Sequence, residues 1–225
     1  MPESFPIGAR RRHAGRALFL AALALIPASP ARADLAATQA RIRAAEKDVT
    51  TIQAAFIQEK KVALFSRPLV SHGTLLVVKP DRFLWAVDSP DVSAFALDGT
   101  RARTLLPGGK SESIDLSRFR QVSDVMKEVS DLFLGRIAEG DGMFQVEDRT
   151  PARGPIALAL TPLDERVKRY FTRIDVTFAP DARSVETIRF QEPLGDQTTL
   201  RFSHVVLNEA VDFAARVRDW ERHAR

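Results

Sequence analysis

Most of the chain after position 50 consists of short segments in which apolar and polar residues alternate, separated by turn residues such as Pro, Gly and Asp. A period of two predicts β-strands that bury one face and expose the other. In the clearest segment, Ile174, Val176 and Phe178 alternate with Arg173 and Asp175. The predicted strands are residues 51–62, 71–78, 82–87, 94–97, 101–106, 143–147, 156–160, 170–178, 185–191 and 198–206. A sheet of about ten antiparallel strands joined by short turns tends to curl, so we expect a curved sheet or a partly closed barrel.

Helices accompany these strands. A first helix is predicted from Asp34, a suitable N-cap, with Leu35, Ile42 and Val49 on one face that only Thr38 interrupts. A second amphipathic helix is predicted over residues 122–137 by an apolar stripe at helical spacing: Val122, Met126, Val129, Phe133 and Ile137. A third stripe is formed in the C-terminal tail by Phe213, Val217 and Trp220. The fold class is therefore mostly β with helices (α+β).

The N-terminus has the pattern of a secretory signal. Four arginines between positions 10 and 16 precede an apolar run at 17–26, and Ala31-Arg32-Ala33 supplies a cleavage site. Ten apolar residues are too few for a spanning helix, which needs about 20. We therefore expect residues 1–33 to be a signal peptide cleaved after Ala33, residues 34–225 to form a single domain, and the protein to be exported to the periplasm.

Charge and composition exclude several classes of function. The net charge is +4, but residues 1–33 hold five of the 33 basic residues and one of the 29 acidic residues, which leaves 28 of each. A neutral mature chain has no electrostatic footprint for nucleic acid. The absence of Cys excludes thiol chemistry and Cys-bound metals, and the scattered His residues have no metal-site spacing. Without a nucleophile elbow either, we expect no catalytic residue, metal or cofactor, and no enzyme activity.

The aromatic residues are unusual in type. Outside residues 1–33 the chain has 12 Phe, against one Tyr and two Trp. Phe adds apolar bulk without a polar group. Many of these residues fall with aliphatic ones on the apolar faces of predicted strands: Phe56, Leu75, Val77, Phe83, Trp85, Phe95, Leu158, Ile174, Val176, Phe178, Phe190 and Phe202. Periodicity does not distinguish a filled core, the commoner case, from an apolar ligand cavity.

Three groups of motifs occur in a characteristic order. The first is Phe65-x-x-Pro68-Leu69-x-Ser71-x-Gly73-x-Leu75, and the second is Lys79-Pro80-Asp81-Arg82-Phe83-x-Trp85, followed by Pro90 and Asp98-Gly99. The third is Gly195-Asp196-x-Thr198, with Phe202 and Asn208 after it. In this order and spacing the motifs resemble those of the periplasmic outer-membrane lipoprotein carrier (LolA-like) family, over most of the mature chain.

The resemblance implies an incomplete antiparallel β-barrel of ten to eleven strands with a helical lid over an apolar cavity. It implies that acyl chains bind to the twelve strand residues above and to Met126 and Phe133 of the predicted lid helix. It also implies a latch between the lid and the residue before Pro80, where the family typically has Arg and this chain has Lys79. Lys keeps the charge but lacks the planar fork of Arg.

The function implied is a monomeric periplasmic carrier, or chaperone, that shelters the acyl chains of lipoproteins or of another lipid and shuttles them toward the outer membrane. An inner-membrane donor and an outer-membrane acceptor are implied as partners. The alternative is a lipid-sensing or regulatory binding domain of the same fold, because fold alone does not settle function. The C-terminal tail after Asn208 departs from the family pattern, since it runs into charged residues up to Arg225.

Overall fold

The computed structural model describes residues 34–106, 110–116 and 143–223, within which the chain forms three helices and one eleven-stranded sheet. The helices are α1 Leu35–Glu46, α2 Glu165–Lys168 and α3 Phe213–His223. The strands are β1 Thr51–Lys61, β2 Leu69–Val78, β3 Arg82–Ser89, β4 Ser93–Asp98, β5 Arg101–Leu106, β6 Lys110–Asp115, β7 Phe144–Asp148, β8 Ala157–Pro162, β9 Arg173–Phe178, β10 Val185–Gln191 and β11 Gln197–Leu207.

Every neighbouring pair of strands is antiparallel. The order across the sheet is β6-β5-β4-β3-β2-β1-β11-β10-β9-β8-β7, so the sheet is not closed and has β6 and β7 at its edges. The central pair joins the two longest strands, from Ile52 opposite Leu207 to Lys61 opposite Gln197. This confirms the expected incomplete antiparallel barrel with helices.

The two faces of the sheet carry separate apolar clusters. Leu75 and Val77 of β2 belong to the larger cluster, whereas Leu76 between them belongs to the smaller one. Alternation along a strand places such neighbours on opposite faces. Helix α1 packs on the first face through Ile42, and α3 packs on the second through Phe213. We call these the α1 face and the α3 face.

Two elements were not predicted from the sequence. Strand β6, Lys110–Asp115, is exposed at every residue and therefore lacks alternation; its pairing with β5 at the sheet edge defines it. Helix α2 has only four residues and starts at Asp164, whose carboxylate accepts a hydrogen bond from the Arg166 amide at 2.7 Å. The predicted strand 170–178 was too long at its start, because β9 begins at Arg173 and Tyr170 is exposed.

The predicted helix 122–137, with Met126 and Phe133, lies outside the described residues, as do residues 1–33. Within the described part of the chain, no helix combines the length and the apolar character that crossing a bilayer requires.

Antiparallel pairing gives the strands two distinct ends. The connections β1–β2, β3–β4, β5–β6, β8–β9 and β10–β11 lie at one of them, which we call the loop end. The segment that joins α1 to β1 lies at the other, which we call the α1 end, together with the connections β2–β3, β4–β5, β7–β8 and β9–β10.

Candidate ligand-binding site

The α1 face gathers all twelve of the strand residues proposed as ligand-binding from the sequence. Ten of them are buried, and Trp85 and Phe95 are half-buried and packed against the same cluster. The ten buried residues are Phe56, Leu75, Val77, Phe83, Leu158, Ile174, Val176, Phe178, Phe190 and Phe202. These twelve residues come from eight strands and form one continuous apolar surface.

The sheet curls toward this face. Strands β3 and β11 are separated by two other strands, so in a flat sheet their backbones would lie about 14 Å apart. The ring centroids of Trp85 on β3 and Phe202 on β11 are nevertheless only 6.4 Å apart, with the ring planes at 82°. The α1 face is therefore the concave side of the sheet at this point.

An aromatic cluster lies where the curvature brings strands together. The Phe56 ring stacks on Trp85 with centroids 3.8 Å apart, although β2 lies between their strands. Gly73 of β2 makes this possible, because a Cβ there would come within 2.3 Å of the Phe56 ring and 2.1 Å of the Ala86 carbonyl oxygen. Gly73 was part of the sequence motif, and the structure gives it a role: it lets Phe56 cross the neighbouring strand.

Further aromatic contacts extend the surface on both sides of this cluster. Phe83 and Phe95 lie with ring centroids 6.4 Å apart on β3 and β4. On the other side, Phe190 contacts Phe171 with centroids 4.9 Å apart. Phe171 was not among the proposed residues, because the sequence placed it on the polar side of an overlong strand.

Helix α1 covers part of the concave face, and its contribution was only partly predicted. Ile42 is buried in the same cluster, as expected from the apolar stripe. The helix also buries Thr38, Gln39 and Glu46 to between 3% and 7% exposure. The buried face of α1 is therefore wider than its apolar stripe. The burial of its polar side chains is visible only in the folded structure.

Two motif residues hold the connection between α1 and β1. The Lys79 ammonium group donates a hydrogen bond to the Glu46 carbonyl oxygen at the end of α1, at 3.0 Å, and the Lys79 amide donates to Thr50 at 2.9 Å. The Asn208 side-chain oxygen accepts from the Thr50 amide at 2.8 Å. Lys79, proposed as a latch, is thus bonded to the carbonyl end of a helix, where a positive charge is favourable.

Asp148 at the end of β7 is linked electrostatically to the start of α1. Burial raises the pKa of Asp148, but hydrogen bonds from Thr38 and Thr150 and the charge of Arg41 together bring it below its ordinary value of 3.8. The Thr150 amide donates to the Asp148 carboxylate at 2.7 Å. The ionised form of Asp148 is therefore the favoured one where α1 approaches β7.

A small cavity of about 10 Å³ lies on the concave face toward the α1 end of the sheet. It is lined by residues of β1, β2, β10, β11 and the turn before β10: Ile52, Ala54, Leu75, Ser184, Val185, Phe202 and Val205. This volume is close to the minimum for one water molecule. An acyl chain can enter at this point only if the surrounding side chains or their cover move.

The α3 face offers a different environment. A surface groove of about 270 Å³ is lined there by Asp88, Arg216, Asp219, Trp220 and His223. Four of these five side chains are charged or titratable, so the groove does not suit an acyl chain. Among the described residues, no group of three His, Asp or Glu is placed to hold a metal ion.

The sequence also matches a known protein family. Residues 47–215 match the family model described as outer membrane lipoprotein carrier protein LolA. The outer-membrane lipoprotein carrier protein of Alcanivorax borkumensis is 26% identical over 141 residues, which span 62% of this chain and 63% of that relative's own length.

The solved structures to which this chain is similar are more distant in sequence. A LolA superfamily protein from Nitrosomonas europaea is 11% identical, with a TM-score of 0.42 over 79% of this chain and 94% of the other. An uncharacterised protein from Thermus thermophilus is 8% identical, with a TM-score of 0.49 over 80% of this chain and 91% of the other.

Proposed function

Because the chain belongs to the LolA family of outer membrane lipoprotein carrier proteins, we propose that it is a periplasmic carrier that binds the acyl chains of lipoproteins or of another lipid on its concave face. The observation that carries this proposal is the approach of Trp85 to Phe202 across two intervening strands. A sheet curled toward a continuous apolar face can surround an acyl chain, which a flat sheet cannot do.

The physical need for such a carrier is large. An acyl chain that leaves a bilayer for water loses about 0.8 kcal/mol for each buried CH₂ group. A lipid with several chains therefore does not cross an aqueous compartment unaided. A concave face of Phe, Leu, Val and Ile side chains replaces the bilayer without contacts specific to one lipid, and it requires neither a cofactor nor catalysis.

The cover of the site is the part that must move. We assign this role to α1 together with the predicted helix 122–137, and we assign Lys79 the role of a latch. Its bond to the Glu46 carbonyl oxygen supports this assignment, because it ties β2 to the end of α1. A ligand opens such a cover only by binding the open state more tightly than the closed one.

Export and transfer complete the proposed cycle. Residues 1–33 direct the chain to the periplasm and are removed after Ala33, and the mature protein acts as a monomer. It receives its cargo from an inner-membrane donor and passes it to an outer-membrane acceptor with a stronger hold on the acyl chains. The cargo is a lipoprotein or another acylated lipid.

A fluorescent long-chain fatty acid tests the site directly. Phe95 is half-buried on the α1 face, so Phe95→Ser should leave the fold intact and weaken probe binding by about tenfold or more. Trp220→Ser is the matched control, because Trp220 is a half-buried aromatic residue packed on the α3 face. Its probe affinity should equal that of the wild type in a fluorescence titration.

Native mass spectrometry of the protein purified from the periplasm tests for the natural cargo, which should appear as a lipid bound to the protein. Weaker probe binding by Trp220→Ser with unchanged binding by Phe95→Ser would move the site to the α3 face. A wild-type protein that carries no lipid and binds no probe would refute the carrier function.

A further inference from the structure

Exposed apolar side chains are concentrated at the loop end of the sheet. Of the twelve large apolar side chains exposed among the described residues, eight lie at this end. They belong to four of its five connections or to the strand residues beside them: Leu64, Phe65, Leu69, Val70, Leu106, Leu163, Tyr170 and Leu194. We call this set the apolar rim. Single exposed apolar residues are common on protein surfaces, but such a bias toward one end marks an interaction surface.

Two neighbouring loops form the most exposed part of the rim. Leu64 is 91% exposed and Phe65 58% exposed in the β1–β2 loop, and Leu194 is 90% exposed in the β10–β11 loop. Because β1 and β11 are adjacent strands, these loops lie side by side, and the Ala63 amide donates a hydrogen bond to the Asp196 carboxylate at 2.9 Å between them. The three apolar side chains are thus presented together.

Basic side chains flank the rim. Lys61 and Arg67 are exposed on either side of Leu64 and Phe65, and Arg169 is exposed beside Tyr170. These three cations make no ion pair with any residue in the described ranges. The rim therefore combines protruding apolar groups with cations that form no salt bridge to a described residue.

The acidic groups of the loop end are mostly neutralised by partners. Lys60 binds Glu192 at 3.1 Å, Arg166 binds Asp164 at 2.5 Å and Lys168 binds Glu165 at 2.7 Å. Asp91 in the β3–β4 turn and Asp196 in the β10–β11 loop are exceptions, since neither forms an ion pair with another described residue, and the Asp196 carboxylate accepts only the hydrogen bond of the Ala63 amide. The β1–β2, β8–β9 and β10–β11 connections and the residues beside them carry six basic side chains against four acidic ones, so their summed charge is positive: Lys60, Lys61, Arg67, Arg166, Lys168 and Arg169 against Asp164, Glu165, Glu192 and Asp196.

From these observations we propose that the apolar rim docks the protein on an anionic lipid bilayer. Leu64, Phe65 and Leu194 insert at the headgroup boundary while Lys61, Arg67 and Arg169 contact anionic headgroups. Protruding apolar tips bordered by cations match the chemistry of such an interface. This docking goes beyond the proposed carrier function, because it concerns the protein without cargo and leaves the concave face free.

Co-sedimentation with vesicles measures the docking. The wild type should bind vesicles of phosphatidylethanolamine and phosphatidylglycerol more strongly than phosphatidylcholine vesicles. The triple variant Leu64→Ser, Phe65→Ser, Leu194→Ser should bind the anionic vesicles at least about tenfold more weakly. Lys61→Gln and Arg67→Gln should each weaken that binding by about fivefold and leave the weak binding to phosphatidylcholine unchanged.

A matched triple variant controls for the loss of exposed apolar area. Ile57→Ser, Ile114→Ser and Val206→Ser change three exposed apolar residues outside the rim, and this protein should bind vesicles like the wild type. The wild type and the two triple variants differ only at these positions, so equal binding by all three would place the attachment elsewhere in the chain and would overturn the proposal.

The proposal also fails if the wild type binds neither kind of vesicle. It fails in the same way if, in addition, the rim variant has lost cargo transfer to a protein acceptor, because the rim would then bind a protein and not a bilayer. The fatty-acid titration separates this result from the carrier function. A protein that binds the probe but not vesicles keeps the carrier function and loses the docking, and the opposite result keeps only the docking.

Discussion

Gly73 shows how a single residue determines the shape of the site. Any side chain there would occupy the space of the Phe56 ring and of the Ala86 carbonyl oxygen, at 2.3 and 2.1 Å from an added Cβ. The aromatic cluster therefore depends on the absence of a side chain. Gly73 appears in the sequence as one turn-type residue inside a strand pattern, and only the contact with Phe56 explains it.

Replacing Gly73 tests this dependence. Gly73→Ala should lower the free energy of unfolding by about 2–3 kcal/mol, because the added methyl group overpacks a site with backbone on one side. Thr74→Ala, at the next and exposed position of β2, should change it by no more than about 0.5 kcal/mol. Urea denaturation compares the two variants, and equal stabilities would show that Phe56 can move away from Gly73 without cost.

At the scale of elements, the contact between α1 and β7 should depend on pH. The pKa of Asp148 is lower in the folded protein than its ordinary value of 3.8, so its carboxylate stabilises the folded state above that pH. This contribution is lost as the pH falls through the lowered pKa. Asp148→Asn should therefore destabilise the protein at neutral pH, and the difference from the wild type should shrink in acid.

Denaturation curves at neutral pH and at about pH 3 measure this difference. Asp91→Asn is the matched control, since it removes an exposed carboxylate from the β3–β4 turn. Its stability difference from the wild type should be small at both values. If Asp148→Asn lowers the free energy of unfolding by the same amount at both pH values, the loss comes from packing and the charge of Asp148 has no role.

Which elements could be predicted depended on how much of their pattern is local. Strand β10 was predicted with the bounds it has, because turns border it and Ile188 to Gln191 alternate, although a bulge after Val185 interrupts the pattern. Strand β6 has no buried face, and only its pairing with β5 makes it a strand. In α1 the apolar stripe correctly predicted Ile42, but the burial of Gln39 and Glu46 depends on contacts with distant strands.

The same limit applies to the site at the scale of the molecule. Alternation showed which residues of each strand lie on the apolar face, and the structure brings all twelve of them together. It could not show the curvature, because the approach of Trp85 to Phe202 depends on the twist and coiling of four strands at once. The docking surface was likewise hidden, since the exposed residues of the rim come from separate loops.

The packing of the whole molecule predicts how a ligand enters. The cavity on the concave face near the α1 end holds only about 10 Å³, so an acyl chain enters it only after the surrounding side chains and their cover rearrange. The observed rate of binding should then rise with the concentration of the fatty-acid probe and reach a plateau equal to the opening rate.

Lys79→Met should raise this plateau by about two- to fivefold, because it removes a positive charge from the carbonyl end of α1. Lys61→Met removes an exposed charge at the loop end and should leave the plateau unchanged, and Lys79→Arg should keep it near the wild-type value. Stopped-flow fluorescence measures the plateau for the wild type and the three variants.

A binding rate that stays proportional to probe concentration would mean that the site is open before the ligand arrives. Equal plateaus in all four proteins would mean that Lys79 is only a structural contact. If the plateau responds to Lys79 alone, the bond between β2 and the end of α1 controls the access of lipid to the concave face.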